Sequence, residues 1–273
     1  MATHRNFLKK LTAFLGTVEY ENITADDWRR WLVSLENMAL NSRRNAWSAM
    51  RKISAWAERE FGYKRADSIA CPPPGQALVV PLTPEEVKKV LRCCEKATDG
   101  RKRQTGLRDK ALVLLILDTF LRVSEVSRLV MSDVNMENGE VSVRPYLSGR
   151  KSRRRTVFLG KGAKKALWLY LAHRGDVGPK EPLFVTLQDR PMDRNEIRKL
   201  FARIGKNAGV DLHPHKLRHT GAIMFLRAGG SVFSLQRLLG HSDLAMTRHY
   251  VALAQSDDEA AHRQASPVDT WKF

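Results

Sequence analysis

Apolar residues recur at helical spacing through the first seventy positions. Phe7, Leu8, Leu11, Phe14 and Leu15 form one stripe, and Trp28, Trp31, Leu32 and Leu35 form a second. Asp26 and Asp27 open that second stripe, where negative charge favours a helix N-terminus. Trp47, Met50, Ile53, Ala57 and Phe61 predict a third helix from about Ser42. Its opposite face carries Arg43, Arg44, Arg51 and Lys52, which reads either as a solvated face or as one set against a polyanion. Cys71-Pro72-Pro73-Pro74-Gly75 cannot continue a helix, because proline lacks the backbone N–H and clashes with the preceding turn. The pattern divides the chain into a helical domain over 1–71, a linker over 72–82 and a larger domain over 83–273.

The larger domain begins with Thr83-Pro84-Glu85-Glu86. Thr83 is an N-cap candidate, Pro84 suits the first helical position, and Glu86 completes a capping box. An apolar run predicts a helix over 110–118, and Ser124 is predicted to cap a short helix over 125–130. Gly139 marks a turn into a strand over 140–146, where Val141 and Val143 alternate with polar neighbours, and a second strand fits 156–159. From about Gly162 the pattern is helical again, apart from a Gly/Pro-rich break over 175–182. Leu235, Leu238 and Leu239 form a stripe ending at Gly240, a suitable residue just past a helix. Ser242 and Asp243 are then placed to start another helix, with Tyr250 two turns along it. No internal repeat or low-complexity segment is visible.

Charge adds a partner class to this picture. The chain has 273 residues, with 47 Lys+Arg against 29 Asp+Glu and a formal charge of +18. So basic a protein points to a polyanion, and nucleic acid is the usual one; dispersed charge that only maintains solubility is the other reading. The segment 141–165 sharpens the choice, holding nine Lys+Arg and no acidic residue. A two-stranded ribbon charged in this way can lie along a DNA groove or backbone, with Arg150, Lys151, Arg153, Arg154 and Arg155 as its contacts. Three cysteines without metal-ligand spacing imply a reducing compartment. No apolar run approaches the ~20 residues a membrane span needs, and the apolar run over 11–15 is too short for a secretory signal. A cytoplasmic, nucleoid-associated location is the expectation.

The candidate chemistry lies mostly near the C-terminus. His215 and Arg218 sit three apart in a helical segment and share a face. A guanidinium can hold a phosphate with two hydrogen bonds, and an imidazole there can take or give a proton near neutral pH. His241 follows Gly240, and Tyr250 lies nine residues further on. Each alone has an ordinary reading: a surface pair, a capping histidine, a half-buried core tyrosine. Arg122 lies in the turn Thr119-Phe120-Leu121-Arg122-Val123-Ser124-Glu125, where packing can aim it inward and Glu125 can orient it or a histidine; a surface Arg122–Glu125 pair is the alternative. No carboxylate pair and no metal-ligand cluster accompanies these groups. Two imidazoles, two guanidiniums and a phenol suit holding a phosphodiester and attacking it with a tyrosine oxygen.

Taken in order, these motifs resemble the tyrosine recombinase family, the phage-integrase-like or lambda-integrase-like site-specific recombinases. The resemblance runs from about residue 5 to 255 and is tightest over 107–134 and 211–251. The family's Arg-x-Ser-Glu turn matches Arg122–Glu125, its hairpin lysine falls at or beside Lys151, its His-x-Leu-Arg-His matches His215–His219, and its Leu-Gly-His with a tyrosine nine residues later matches Leu239-Gly240-His241 and Tyr250. Phe120 stands where the family usually has glycine, and Phe158 where Val-Pro-Leu is common.

The resemblance implies a mainly α fold: a helical core-binding domain and a mixed α catalytic domain with a small antiparallel sheet, forming a clamp around DNA. It implies Tyr250 as nucleophile, Arg122 and Arg218 as transition-state stabilisers, Lys151 as the acid for the leaving 5′-oxygen, His215 as acceptor of the tyrosine proton and His241 as a donor to a non-bridging oxygen. It implies no metal and no cofactor. The partners would be double-stranded recombination sites and a homo-tetramer on two duplexes, with no membrane and with accessory DNA-bending proteins compatible. No separate arm-binding module is expected ahead of the first domain, and an integrase bridging distant accessory sites is therefore not the expectation. The segment 257–273, with Asp257-Asp258-Glu259 and with Trp271 and Phe273 near its end, is expected to dock on a neighbouring protomer or to fold back on its own domain. A relaxing enzyme of the type IB topoisomerase kind and a DNA-binding regulator without catalysis are the alternatives.

Arg150 and Lys151 adjoin, and only a lysine can readily give up its proton. Lys151→Ala is therefore expected to cleave an ordinary site poorly and to recover on DNA whose leaving group is a 5′-thiol, which needs little protonation. Cleavage rates on the two substrates check this, and thiol recovery of Arg150→Ala instead would move the role by one residue.

Overall fold

The computed structural model describes residues 2–63, 69–73, 75, 80–95, 100–145, 154–241, 247, 250 and 266. The chain forms two compact units, Met1–Leu78 and Val79–Phe273. Among the described residues no helix is long and apolar enough to cross a membrane.

The first unit holds α1 (Ala2–Leu15), a 3₁₀ turn (Tyr20–Asn22), α2 (Ala25–Ser34) and α3 (Leu40–Phe61). Thr24 starts α2 with a reciprocal cap: its hydroxyl accepts from the Asp27 N–H at 3.2 Å, and the Asp27 carboxylate accepts from the Thr24 N–H at 2.8 Å. Phe7 and Leu11 of α1, Trp28 and Trp31 of α2 and Met50 of α3 meet in one core. Phe61, expected on the buried stripe of α3, is instead 57% exposed. It is the last residue of the helix and packs on the surface rings of Trp56 and Tyr63, at 5.3 and 5.6 Å between centroids.

The second unit is built round α5 (Gly100–Thr119). Ala111, Leu112, Val113, Leu115 and Ile116 are all essentially inaccessible, so this segment is apolar on every side, as a helix surrounded by others must be. Each large aliphatic side chain buried there contributes roughly 1.5–3 kcal/mol. Around it lie α4 (Pro84–Glu95), α7 (Lys161–Arg174) and α9 (Pro214–Arg227). The Thr83–Glu86 capping box forms at the start of α4, at 2.8 and 3.2 Å. The helix expected over 110–118 begins ten residues earlier. Its polar half is compatible with burial because Arg108 donates to Asp109 at 2.7–2.9 Å and to the Val185 carbonyl at 3.0 Å, while Arg203 also reaches Asp109.

The remaining elements are α6 (Val123–Val126), a 3₁₀ turn (Met131–Asp133), strands β1 (Glu140–Val143) and β2 (Arg155–Phe158), α8 (Arg194–Ala208) and α10 (Val232–Leu239). The strands pair antiparallel, with Val141 opposite Val157 and Val143 opposite Arg155; β1 is shorter than the alternation over 140–146 predicted, and β2 keeps the expected length but starts one residue earlier. Ser124 does not cap a helix over 125–130. Arg122 occupies the N-cap of a single turn, and the Glu125 carboxylate accepts the Arg122 N–H at 2.8 Å.

Two backbone features set how closely α5 and α9 approach. α9 crosses α5 at Gly221, where an added Cβ would lie 2.0 Å from the Leu117 carbonyl oxygen and 2.9 Å from the Phe120 ring. Phe120, just past α5, has φ +56°, a left-handed conformation that disfavours a residue with a Cβ by roughly 1–2 kcal/mol. Its ring covers the surface left bare by Gly221 and stands edge-on to Phe225 at 5.7 Å.

Gly221→Ala is expected to force α5 and α9 apart and to destabilise the second unit by about 1–3 kcal/mol, the usual cost of overpacking. A lowered denaturant midpoint in urea checks this; an unchanged midpoint would show that the two helices are not held at this distance.

Candidate active site

Glu125 is the hub of the site. Its side chain is 1% exposed and accepts four hydrogen bonds from two arginines. Arg122 contributes its backbone N–H at 2.8 Å and Nη1 at 3.3 Å, and Arg155 contributes Nη1 at 3.0 Å and Nη2 at 2.9 Å. Burial alone would raise the carboxyl pKa. The hydrogen bonds and charge of Arg155, then the Arg122 N–H and charge, outweigh it and hold the value at about 2. The Arg122 side chain keeps 27% exposure.

Arg218, on α9, is buried and held by carbonyls. Nη1 donates to the Phe120 carbonyl at 2.5 Å and Nη2 to the Leu239 carbonyl at 3.2 Å. The left-handed turn at Phe120 is therefore part of the site's construction. Burial first, then the charge of Arg122, brings the Arg218 pKa down to about 10, which leaves it cationic at neutral pH.

The imidazoles are neutral in this setting. Burial, then Arg218, Arg122 and Arg155, pulls His241 down to about 4. Its Nε2 lies 3.4 Å from Arg218 Nη2 and its Nδ1 3.1 Å from the Thr247 hydroxyl. Guanidinium nitrogens only donate, so Nε2 accepts and Nδ1 carries the proton. In this arrangement His241 presents an acceptor, and donation to a phosphate oxygen requires the opposite tautomer, with Thr247 donating to Nδ1. His215 keeps exposed surface, yet partial burial of its ring, then Arg218, His213 and Arg122, lowers its pKa. Its Nε2 lies 2.8 Å from Nε2 of His219, so one of the two must accept and the pair cannot carry two charges.

Tyr250 is 3% exposed and packs with Phe120, Ala222, Ile223, Leu235 and Leu239. Its ring lies 5.0 Å from that of His219 and 6.3 Å from that of His241. Burial raises its pKa; the charge and hydrogen bond of Arg218, then the charge of Arg122, oppose that. The ring is a core ring, and the charges that act on its hydroxyl are those of Arg218 and Arg122.

The structure thus brings Arg122, Glu125, His215, Arg218, His241 and Tyr250 together. Lys151, Arg150 and Arg153 lie outside the described residues, and Arg154 is exposed beside β2. Arg155 corrects the DNA-facing expectation. Its side chain is 7% exposed and points inward, because strand alternation puts it on the same face as the fully buried Val157. That parity was visible in the sequence, as was His219 in the His-x-Leu-Arg-His motif. Thr247 and the Phe120 carbonyl carried no comparable signal. In the first unit, Arg44 donates to the Pro72 carbonyl at 2.7 Å and Arg51 sits over the Trp47 ring at 5.4 Å, so these two of the expected DNA contacts also serve the fold. Lys52 is exposed and Arg43 half-buried.

The phage integrase family model matches residues 81–257. Tyrosine recombinase XerC of Corynebacterium glutamicum is 30% identical, with 97% of this chain and 86% of that protein covered. Tyrosine recombinase XerA of Saccharolobus solfataricus is 31% identical over 86% of this chain and 76% of its own length. Among solved structures, the Tn1549 transposon integrase in complex with transposon right end DNA superposes with a TM-score of 0.76 at 20% identity, covering 97% of this chain and 93% of that one. A lambda integrase dimer bound to a core site gives 0.71 at 18% identity, covering 91% and 87%.

The Glu125 pKa carries a stability prediction. The folded value of about 2 lies below the ordinary 4.5, so the contribution is complete above 4.5 and is lost as pH falls toward 2. Glu125→Gln is expected to be less stable at pH 7 by on the order of 3 kcal/mol, at about 1.4 kcal/mol per pKa unit. Urea melts at pH 7, 5, 4 and 3 should show the gap to the unsubstituted protein closing below pH 4.5. A constant gap would contradict the ion pairing.

Proposed function

Because this chain belongs to the phage integrase family of tyrosine recombinases, DNA breaking and rejoining enzymes, we propose that it cuts and rejoins DNA site-specifically through a 3′-phosphotyrosyl intermediate on Tyr250. What supports the reading is the convergence of two guanidiniums, the part-buried Arg122 and the buried Arg218, on the surroundings of a tyrosine whose burial otherwise keeps it protonated.

The step is an in-line displacement. The Tyr250 oxygen bonds to the scissile phosphorus as the bond from phosphorus to the 5′-oxygen breaks. The phosphodiester energy is retained in the new bond, so the strand can be resealed by the reverse attack of a 5′-hydroxyl. Arg122 and Arg218 stabilise the charge that accumulates on the phosphoryl oxygens, and one such donor typically supplies ~10²–10³ in rate. The lowered pKa of His215 leaves it neutral at physiological pH, which is the form that can accept the tyrosine proton. Lys151 is proposed as the acid for the 5′-oxygen. The partners are double-stranded recombination sites brought together by four copies of the chain, and the outcome is integration, excision or resolution of a mobile element.

Tyr250→Phe is expected to bind a nicked half-site normally and to form no protein–DNA adduct, whereas the unsubstituted protein accumulates a protease-sensitive one. Arg122→Ala and Arg218→Ala should slow cleavage at least ~10²-fold with a much smaller loss of affinity, because many other cations contact the backbone. An adduct with the Phe variant would overturn the nucleophile. Absence of any adduct with the unsubstituted protein would leave a DNA-binding regulator. With two full sites, exchanged flanking sequences identify a recombinase; altered linking number without exchange identifies a relaxing enzyme.

A further inference from the structure

Arg155 joins three parts of the chain that sequence distance keeps apart. From β2 it donates both terminal nitrogens to the two oxygens of Glu125, at 3.0 and 2.9 Å. Its Nε donates to the Leu238 carbonyl at 2.7 Å, in the last turn of α10. The His241 turn rests on the same group, since a Cβ at Gly240 would lie 3.0 Å from Arg155 Nη1. All three guanidinium nitrogens therefore face the protein interior. Charge balance gives the contact a consequence beyond packing. Glu125 is shared between Arg155 and Arg122. Without Arg155 the full carboxylate charge would act on Arg122 and compete with a phosphate for its guanidinium.

We propose that Arg155 is a positioning residue for strand cleavage: through Glu125 it leaves Arg122 available to the phosphate, and through the Leu238 carbonyl it fixes the turn that carries His241. This rests on the reading of the pocket as a phosphoryl-transfer site. A lysine at 155 keeps the charge but is a point donor, unable to reproduce the planar fork on a carboxylate together with the third bond to Leu238.

The test compares two nicked half-sites, one with an ordinary scissile phosphate and one with a methyl group in place of a non-bridging oxygen. The methylphosphonate is uncharged and so draws less on Arg122. Arg155→Lys is expected to cleave the phosphate about 10²-fold more slowly than the unsubstituted protein, the scale of one lost donor, and to lose at least ~10-fold less on the methylphosphonate. DNA affinity should change little. Equal losses on both substrates would indicate a general folding defect and overturn the proposal, as would no loss on either. If Arg155→Lys lacks a cooperative thermal transition, the double variant Arg155→Met with Glu125→Gln decides, because it removes both buried charges together. With no carboxylate left to draw on Arg122, the loss that remains through the missing Leu238 bond should be equal on the two substrates, and a phosphate-specific loss would overturn the proposal. Failure of the unsubstituted protein to form a tyrosine-linked adduct would instead overturn the functional reading, and this inference with it. An adduct formed at full rate by the Arg155 variants would overturn the Arg155 role alone.

Discussion

A carboxylate cannot be taken out of water without partners; an unpaired one costs several kcal/mol even after relaxation. Glu125, with 1% of its side chain exposed, is such a carboxylate, and the site is arranged around meeting its demand. Satisfying it fixes the first turn of α6, the inward face of β2 and, through Arg155, the end of α10. Arg218 is fixed by a different device, two backbone carbonyls, one of which is aimed by the left-handed turn at Phe120. Ion pairing holds Arg122, and backbone carbonyls hold Arg218. Their separation is therefore set by the packing of α9 on α5, which the missing side chain of Gly221 permits.

The same arrangement sets protonation. Glu125 offsets part of the combined charge of Arg122, Arg155 and Arg218, and burial strengthens the effect of the remainder on neighbours. His241 is driven to about 4 and His215 is also lowered, so both imidazoles are neutral bases at physiological pH. Tyr250 is held as the neutral phenol by burial while Arg218 and Arg122 favour its ionised form. A phosphodiester entering this pocket supplies negative charge against that remainder, and in doing so it weakens the forces that keep the imidazoles unprotonated. In the proposed reaction, DNA binding and proton transfer are therefore linked through one electrostatic field.

Much of this was legible in the sequence, for identifiable reasons. The capping box at Thr83, the Gly240 terminus of α10 and the shared face of His215 and Arg218 follow from local rules that tertiary packing did not override. The unusual Phe120 was visible as a departure from glycine, but its ring filling the space over Gly221 depends on two helices 100 residues apart meeting. Arg155 was misread because a count of basic residues ignores strand parity; its alternation with buried Val157 pointed inward. The polar start of α5 was missed because Arg108 and Asp109 become compatible with burial only once paired with each other and with Arg203. The contribution of Lys151 lies outside the described residues and still rests on the sequence.

The central claim is that one tyrosine becomes joined to DNA. The chain has five tyrosines, at 20, 63, 146, 170 and 250. Digestion of the covalent complex with nuclease and protease, followed by tandem mass spectrometry, locates the nucleotide remnant directly. The account expects a 3′-phosphorylated nucleotide on Tyr250 and on no other side chain. A remnant on a different tyrosine, on a serine or at a 5′-phosphate would contradict it.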